Sequence, residues 1–368
     1  MRIAVDCRAL QEPKPSGVGW YTFFQLKHLI ESAPQHQFEL CILSHYPDGA
    51  LLARAQKEFV GSNIHWRLTR APKRFVTFSI AVGMWRSWTW LFGECDVLWM
   101  PNLHFVPRTQ PPFPVVLTVH DLSFERYPAY LPLKGRFWHR MLRTMLTRAT
   151  RLVCVSKSTA REVSAVYGVP ERRCVVVYPG IEQLNGGGHT FPVQPRIISV
   201  STIEPRKNID ALIDAYVEVK KELPSIECVV IGKAGYHAQA TVDRMRVAGV
   251  EYRGYATEDE KERLYSSASV MVYPSVYEGF GLPPLEAQLH GIPVIATTTT
   301  SLPEVLGDSA VLCDPNDARS IACAILTVVH SPSYASVLQE RGYANVRRFE
   351  WSRAAHELLA VFKSTYGQ

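Results

Sequence analysis

Short, uninterrupted runs of apolar and β-branched residues recur along this chain, separated by longer stretches with helical spacing. That alternation restricts the fold more than any other feature. The runs are Ile3–Val5, Phe38–Leu43, Val97–Met100, Val115–Val119, Leu152–Val155 and Val175–Val177. After an interruption come Ile197–Val200, Cys228–Ile231, Val250–Arg253, Val270–Tyr273 and Val294–Ala296. A strand that is apolar on both sides must be covered on both faces, as in a parallel sheet flanked by helices. Two such series predict an α/β chain of two doubly wound, Rossmann-like domains. The interruption, Gln183-Leu-Asn-Gly-Gly-Gly-His-Thr-Phe-Pro-Val-Gln-Pro195, holds three glycines that sustain neither helix nor strand, and prolines that lack the ladder donor. The expected division is a first domain over 1–185, a linker over 186–195 and a second domain over 196–350. A terminal helix over 351–368 is expected to fold back toward the first domain. A length of 368 residues fits, since one core rarely serves so long a chain.

Composition excludes several classes. With 47% hydrophobic and 20% charged residues the chain is neither disordered nor fibrous. No apolar run reaches the roughly 18–20 residues that span a bilayer, and the start lacks the basic and long apolar parts of a signal peptide. A cytoplasmic protein is expected, at most peripheral on the inner face of the plasma membrane. The eight cysteines include no C-x-x-C pair, which favours reduced thiols over a zinc site. Charge is uneven: residues 1–190 hold 23 Lys+Arg against 13 Asp+Glu, and the remainder 17 against 21. The basic half suits an anionic partner, or is simply a solvated basic surface.

In parallel sheets of this kind ligands sit beyond the carboxyl ends of the strands, and the suggestive residues lie there. After the first strand comes Pro15-Ser-Gly17-Val-Gly19, where glycine permits close approach of a ligand and a helix start attracts anions. Thr22 stands where a full dinucleotide fingerprint needs its third glycine, so an ordinary tight turn reads equally well. After the first strand of the second domain comes Glu204-Pro-Arg206-Lys207-Asn208, two cations at a strand-to-helix junction and well placed for a diphosphate. Taken alone, a solvated Arg-Lys pair fits that site too. After Val270–Tyr273 comes Pro274-Ser-Val-Tyr-Glu278-Gly279-Phe280-Gly281-Leu282-Pro-Pro-Leu-Glu286-Ala. Its glycines expose backbone N–H groups, its prolines suit a first helical turn, and a carboxylate there can accept hydrogen bonds from vicinal hydroxyls.

This last string resembles the signature of the retaining GT-B glycosyltransferases of family 4, which include bacterial mannosyltransferases. The resemblance extends over nearly all of the chain, through Gly17, His120-Asp121, Ser156-Lys-Ser, Tyr178-Pro-Gly180 and Ser301-Leu-Pro-Glu304. It implies a GT-B fold, two Rossmann-like domains facing across a cleft. It implies that Arg206 and Lys207 bind the donor diphosphate, that Glu286 holds the ribose hydroxyls and that Glu278 lies near the transferred sugar. Gly279, Phe280, Gly281 and Leu282 would contact sugar and phosphate through their backbone. Gly17 would close over the phosphates, His120 would face the sugar from the first domain, and Gly254 and Tyr255 would seat the base. The expected catalytic set is Glu278, Arg206, Lys207 and His120.

The implied reaction moves a hexose from a nucleotide-diphosphate sugar, best matched by GDP-mannose or a GDP-deoxysugar, to a saccharide or lipid-linked saccharide in surface polysaccharide assembly. No Asp-x-Asp occurs in the sequence, so no metal and no other cofactor is expected. Basic and aromatic stretches from Arg67 to Trp90 and from Lys134 to Arg143 suit an anionic membrane surface, or equally helices that bury their aromatics. No nucleic-acid motif accompanies them, and no nucleic-acid partner is expected. The alternatives are a hydrolysing nucleotide-sugar epimerase of the same architecture, or a non-catalytic nucleotide-sugar-binding subunit.

Overall fold

A computed structural model describes residues 1–44, 49–70, 87–103, 109–130, 143–182 and 192–367. Within these residues the chain forms two units. The first holds Met1–Leu122, the described part of the segment ending at Gly180, and the chain from Phe349 onward. The second holds the short segment opening at Ser123, and Ile181–Arg348.

The first unit is a parallel sheet of β1 (Arg2–Asp6), β2 (Gln37–Leu43), β3 (Ile64–Thr69), β4 (Val97–Met100), β5 (Val115–Val119), β6 (Arg151–Cys154) and β7 (Cys174–Val176). Their order is β3-β2-β1-β4-β5-β6-β7. Ile3, Val5, Leu40 and Trp99 are fully buried between covering helices. One of these, Gly17–Ser32, is capped by Ser16, whose hydroxyl accepts from the Gly19 N–H at 3.3 Å. The terminal helix Trp351–Tyr366 lies against it and buries Trp351, Ala354, Ala355, Leu358, Leu359 and Phe362, an i, i+3, i+4, i+7 stripe. Phe362 meets Trp99 at 6.2 Å between ring centroids. Burying each large side chain of that stripe contributes about 1.5–3 kcal/mol, which fastens the last helix to this sheet.

The second unit is a parallel sheet of β8 (Arg196–Val200), β9 (Glu227–Ile231), β10 (Glu251–Gly254), β11 (Val270–Tyr273), β12 (Val294–Thr297) and β13 (Val311–Cys313), in the order β10-β9-β8-β11-β12-β13. The helix Ile209–Glu222 covers one face through Leu212, Ile213, Tyr216 and Val219, packed against Ala318–His330. In both units the first strand lies beside the fourth, and the chain leaves these two strands in opposite directions. This is the topological switch point at which a crevice opens in a doubly wound sheet.

Three points differ from the expected division. The changeover falls after Gly180 rather than after 185, the second unit closes at Arg348 rather than 350, and the segment opening at Ser123 groups with the second unit rather than the first. Packing explains the first: a Cβ on Gly180 would lie 2.3 Å from the Trp351 backbone nitrogen, so Gly180 is the seat on which the terminal helix starts. Of the expected linker, residues 186–191 lie outside the described residues. Strands β3 and β13 are additions to the sequence reading.

Candidate functional site

The second unit concentrates its charge at the switch point. After β8 the chain makes one tight turn, Pro205–Lys207, and ends it at Asn208 in the left-handed region, φ 55°. Asparagine tolerates that backbone, and its side-chain amide donates to the carbonyls of Pro274 (3.1 Å) and Pro315 (2.8 Å). The loops after β8, β11 and β13 are thereby tied together. The turn presents Arg206 and Lys207 to the loop after β11. The Lys207 ammonium lies 2.5 Å from Glu278 Oε1 and donates to the Tyr273 hydroxyl at 3.2 Å. Arg206 Nε lies 2.7 Å from Glu204 Oε1, and its Nη1 donates to the Tyr277 carbonyl and sits 3.6 Å from Glu278 Oε2.

These charges are buried: the side chains of Lys207 and Glu278 are 9% and 7% exposed. Burial works to raise the Glu278 carboxyl, but the Lys207 ammonium and the Arg206 guanidinium outweigh it and hold it below the ordinary carboxylate range. Burial also pulls the Lys207 ammonium below the ordinary lysine value, against the attraction of Glu278. Each charge here depends on its partner, and removing one leaves the other desolvated, at a penalty of about 3–5 kcal/mol.

Hydroxyls brace the loop that carries Glu278. The Glu278 N–H donates to Thr300 Oγ1 at 2.9 Å, and Ser301 Oγ donates to the carbonyls of Glu278 (3.0 Å) and Phe280 (3.1 Å). Thr297 and Thr299 donate to the Ser275 carbonyl. Thr300 holds φ at +48°, strained for a β-branched residue. Of these bracing residues only Ser301 lies in a motif quoted from the sequence, and without this role. The Thr297–Ser301 run, five hydroxyls beginning on the last residue of β12, is the available signal.

Past Phe280 the chain turns at Gly281, φ +98°, into the helix Leu282–Leu289, which no side chain caps. Pro283 and Pro284 have no N–H, so the Leu282 and Leu285 amides are the donors left in its first turn. Glu286 stands one turn further in, and its Oε2 accepts from the Tyr265 hydroxyl at 3.0 Å and faces Lys261 Nζ at 3.3 Å. Gly254, φ +65°, ends the edge strand β10, and Tyr255, 48% exposed, follows it. The second unit thus brings Arg206, Lys207 and Glu278 into direct contact, with Gly279, Phe280, Gly281 and Leu282 next to them in chain. Gly254 and Tyr255 sit at the end of a strand two places from β8.

In the first unit, Gly17 opens its helix with φ outside the left-handed region, and an added Cβ would meet open space, so nothing in the unit itself demands glycine there. His120 follows β5, edge-on to Tyr21 at 4.7 Å, with Nε2 2.7 Å from the Pro101 carbonyl oxygen. Burial lowers its pKa, so the ring is neutral near pH 7. A carbonyl only accepts, hence Nε2 carries the proton and Nδ1 is an acceptor. Sequence reading also missed Asp6 and Arg8, a buried pair at the end of β1.

Among the described residues no group of three or more His, Cys, Asp or Glu is placed to hold a metal ion. None of the helices there is alone long and apolar enough to cross a membrane. Of the expected membrane-facing stretches, residues 71–86 and 134–142 lie outside the described residues. Within the remainder, Trp88 is fully buried and its indole donates to the Thr109 carbonyl, which withdraws it from any lipid-facing surface.

Comparison with known proteins agrees with this architecture. Residues 16–183 match the family model described as Glycosyltransferase Family 4, and residues 189–345 the one described as Glycosyl transferases group 1. The chain is 27% identical to O-antigen chain mannosyltransferase B of Escherichia coli, over 95% of this chain and 96% of that one. Its fold is similar to that of Anabaena Alr3699/HepE in complex with UDP-glucose, with a TM-score of 0.71 at 16% identity over 99% and 100% of the two chains. It is similar also to sucrose-phosphate synthase from Thermosynechococcus elongatus, with a TM-score of 0.72 at 18% identity over 100% and 99%. The two family matches between them take in nearly the whole chain and both of its doubly wound sheets, and on that ground the chain belongs to the family 4 glycosyltransferases of GT-B architecture.

Proposed function

We propose that the protein is a retaining, metal-independent mannosyltransferase. It would use GDP-mannose or a related GDP-deoxysugar to extend a saccharide or lipid-linked saccharide in cell-surface polysaccharide assembly. The observation that carries this reading is the contact of Arg206 and Lys207 with Glu278 at the switch point of the second unit.

Cleaving a sugar–phosphate bond leaves extra negative charge on a diphosphate, which must be stabilised as it forms. Two fixed cations beside an uncapped helix start supply that field without a divalent ion. Glu278, held ionised by those cations, is an acceptor for sugar hydroxyls, and Glu286 is the acceptor for the ribose. Retention assigns the acceptor's proton to the departing phosphate oxygen on the same face of the sugar. The mannosyl preference is supported by the named activity of the Escherichia coli relative. Peripheral attachment to the inner face of the plasma membrane belongs to the same proposal.

The test is one assay set with labelled GDP-mannose, UDP-glucose and other donors, with and without a lipid-linked mannosyl acceptor, in buffer and in EDTA. Transfer from GDP-mannose with the α-anomer kept, unchanged in EDTA, is the expected result. Loss in EDTA with recovery in Mg²⁺ or Mn²⁺ defeats the metal-free reading. Label released only as free sugar points to a hydrolase instead.

A further inference from the structure

We propose that Tyr265 and Lys261 are positioning residues for Glu286: they fix one carboxylate oxygen and leave the other to select a ribose over a deoxyribose nucleotide. The proposal rests on the reading of Glu286 as the ribose acceptor.

The helix Glu258–Ser266 starts with a complete capping box between Thr257 and Glu260, which sets its register. Lys261 and Tyr265 are four residues apart and share one face. Both converge on the same atom, Glu286 Oε2, at 3.3 Å and 3.0 Å. Lys261 is itself held by Glu258 Oε2 at 2.9 Å. The Tyr265 side chain is fully buried, and its ring stacks on His290 at 4.8 Å and 22°. His290 is in turn 3.4 Å from Glu262 Oε2, so the phenol has no room to swing. Burial and the neighbouring carboxylate keep that phenol protonated, a donor only.

Among the described residues, each polar contact of the Glu286 side chain falls on Oε2, and the side chain is 29% exposed. One oxygen is therefore saturated and the other presents two lone pairs, the complement of a vicinal diol. A carboxylate without this anchor rotates about its last bond and loses its preference for two hydroxyls in a fixed place. The anchor acts on the nucleoside part of the donor and leaves the diphosphate to Arg206 and Lys207.

The test is calorimetric titration with whichever of GDP and UDP binds more tightly, its 2′-deoxy and 3′-deoxy forms, and inorganic pyrophosphate. Wild-type protein is expected to favour the ribonucleotide by about tenfold, the worth of one or two hydrogen bonds to a charged acceptor. In Glu286→Gln and in Tyr265→Phe that preference is expected to shrink to about twofold with pyrophosphate affinity kept, and for Tyr265→Phe the loss falls on the donor KM more than on kcat. Lys261→Met keeps the phenol and is expected to lose part of the preference. A full preference surviving in Glu286→Gln removes the ribose reading itself. A preference lost in Glu286→Gln but intact in Tyr265→Phe and Lys261→Met overturns the positioning proposal alone. Should Tyr265→Phe fail to fold, Lys261→Met decides.

Discussion

At the end of β1 in the first unit the buried charge is paired locally: Arg8 grips Asp6, the last residue of that strand, through two bonds, at 2.8 and 2.5 Å, two residues apart in chain. After β8 of the second unit, the buried charge reaches across: Lys207 is held by Glu278, 71 residues later and on the other side of the switch point. Both pairs are desolvated, and both occupy the position where a doubly wound sheet opens. A local pair of this kind fixes the shape of the strand end. A pair between loops joins the two walls of a crevice, and either partner can turn to a ligand that offers a better match. The second arrangement also carries a second ion pair, Arg206 with Glu204, directly beside the first.

The widest separation between the units is expected in turnover. Glu278→Ala should lower kcat by about 10²–10³-fold, the range seen when one transition-state acceptor or donor is lost, and by more than Lys207→Ala weakens donor binding. Asp6→Ala should leave kcat per folded molecule near wild type. Steady-state kinetics on both variants checks this, and a comparable kcat loss in Asp6→Ala would erase the distinction. Stability should show the reverse emphasis. Asp6→Ala removes the carboxylate that pairs with the Arg8 guanidinium at 3% exposure and should lower unfolding free energy by about 3–5 kcal/mol in denaturant titration.

A smaller effect sharpens the comparison inside the second unit. Thr300 holds the Glu278 amide while its own backbone is strained. Thr300→Val removes the acceptor and keeps the strain, and should cost about 1–3 kcal/mol. Thr300→Gly loses the same bond but relieves the backbone, so it should be the more stable of the two by thermal melting, and both should reduce kcat. A Thr300→Val protein as stable and as active as wild type would show that the hydroxyl brace does not hold Glu278.

How much was legible follows from which residues face solvent. The central strands, apolar on both faces, were readable because nothing but a covered parallel sheet accommodates them. The missed strands, Ile64–Thr69 and Val311–Cys313, are both sheet edges. β3 interleaves His65, Trp66 and Arg67 because one side is wet, and β13 is three residues long. At the site, Arg206 with Lys207 and Glu278 were identifiable in two separate strings, yet their contact belongs to strand order, which local sequence does not encode. Asn208, Thr300 and Ser301 act through one backbone angle or one hydroxyl, and such residues fill ordinary loops as well. The Asp6–Arg8 pair was hidden for the opposite reason: charges two apart usually point into water.

The smallest expected effect is in pH dependence, and it separates His120 from Glu278 by window. Burial depresses the His120 pKa below the ordinary histidine value, so the unfolded chain takes up a proton there before the folded one does. Stability from this residue is therefore complete above about pH 6.5 and is lost as pH falls through the folded value. Glu278, also depressed, contributes stability that is complete above about pH 4.5 and is lost only below it, as its folded carboxyl takes up a proton. Between roughly pH 7.5 and pH 5.5, then, the melting temperature of wild type should fall more than that of His120→Gln, by a few degrees or less. His36 in the first unit and His290 in the second are depressed in the same direction and remain in both proteins, so the difference between the two curves isolates His120. Glu278→Gln should leave that window unaltered and flatten the curve only in more acid solution. Curves for wild type and His120→Gln that run parallel throughout would mean the imidazole keeps its ordinary pKa, and burial would then not be what holds its ring neutral in mildly acid solution.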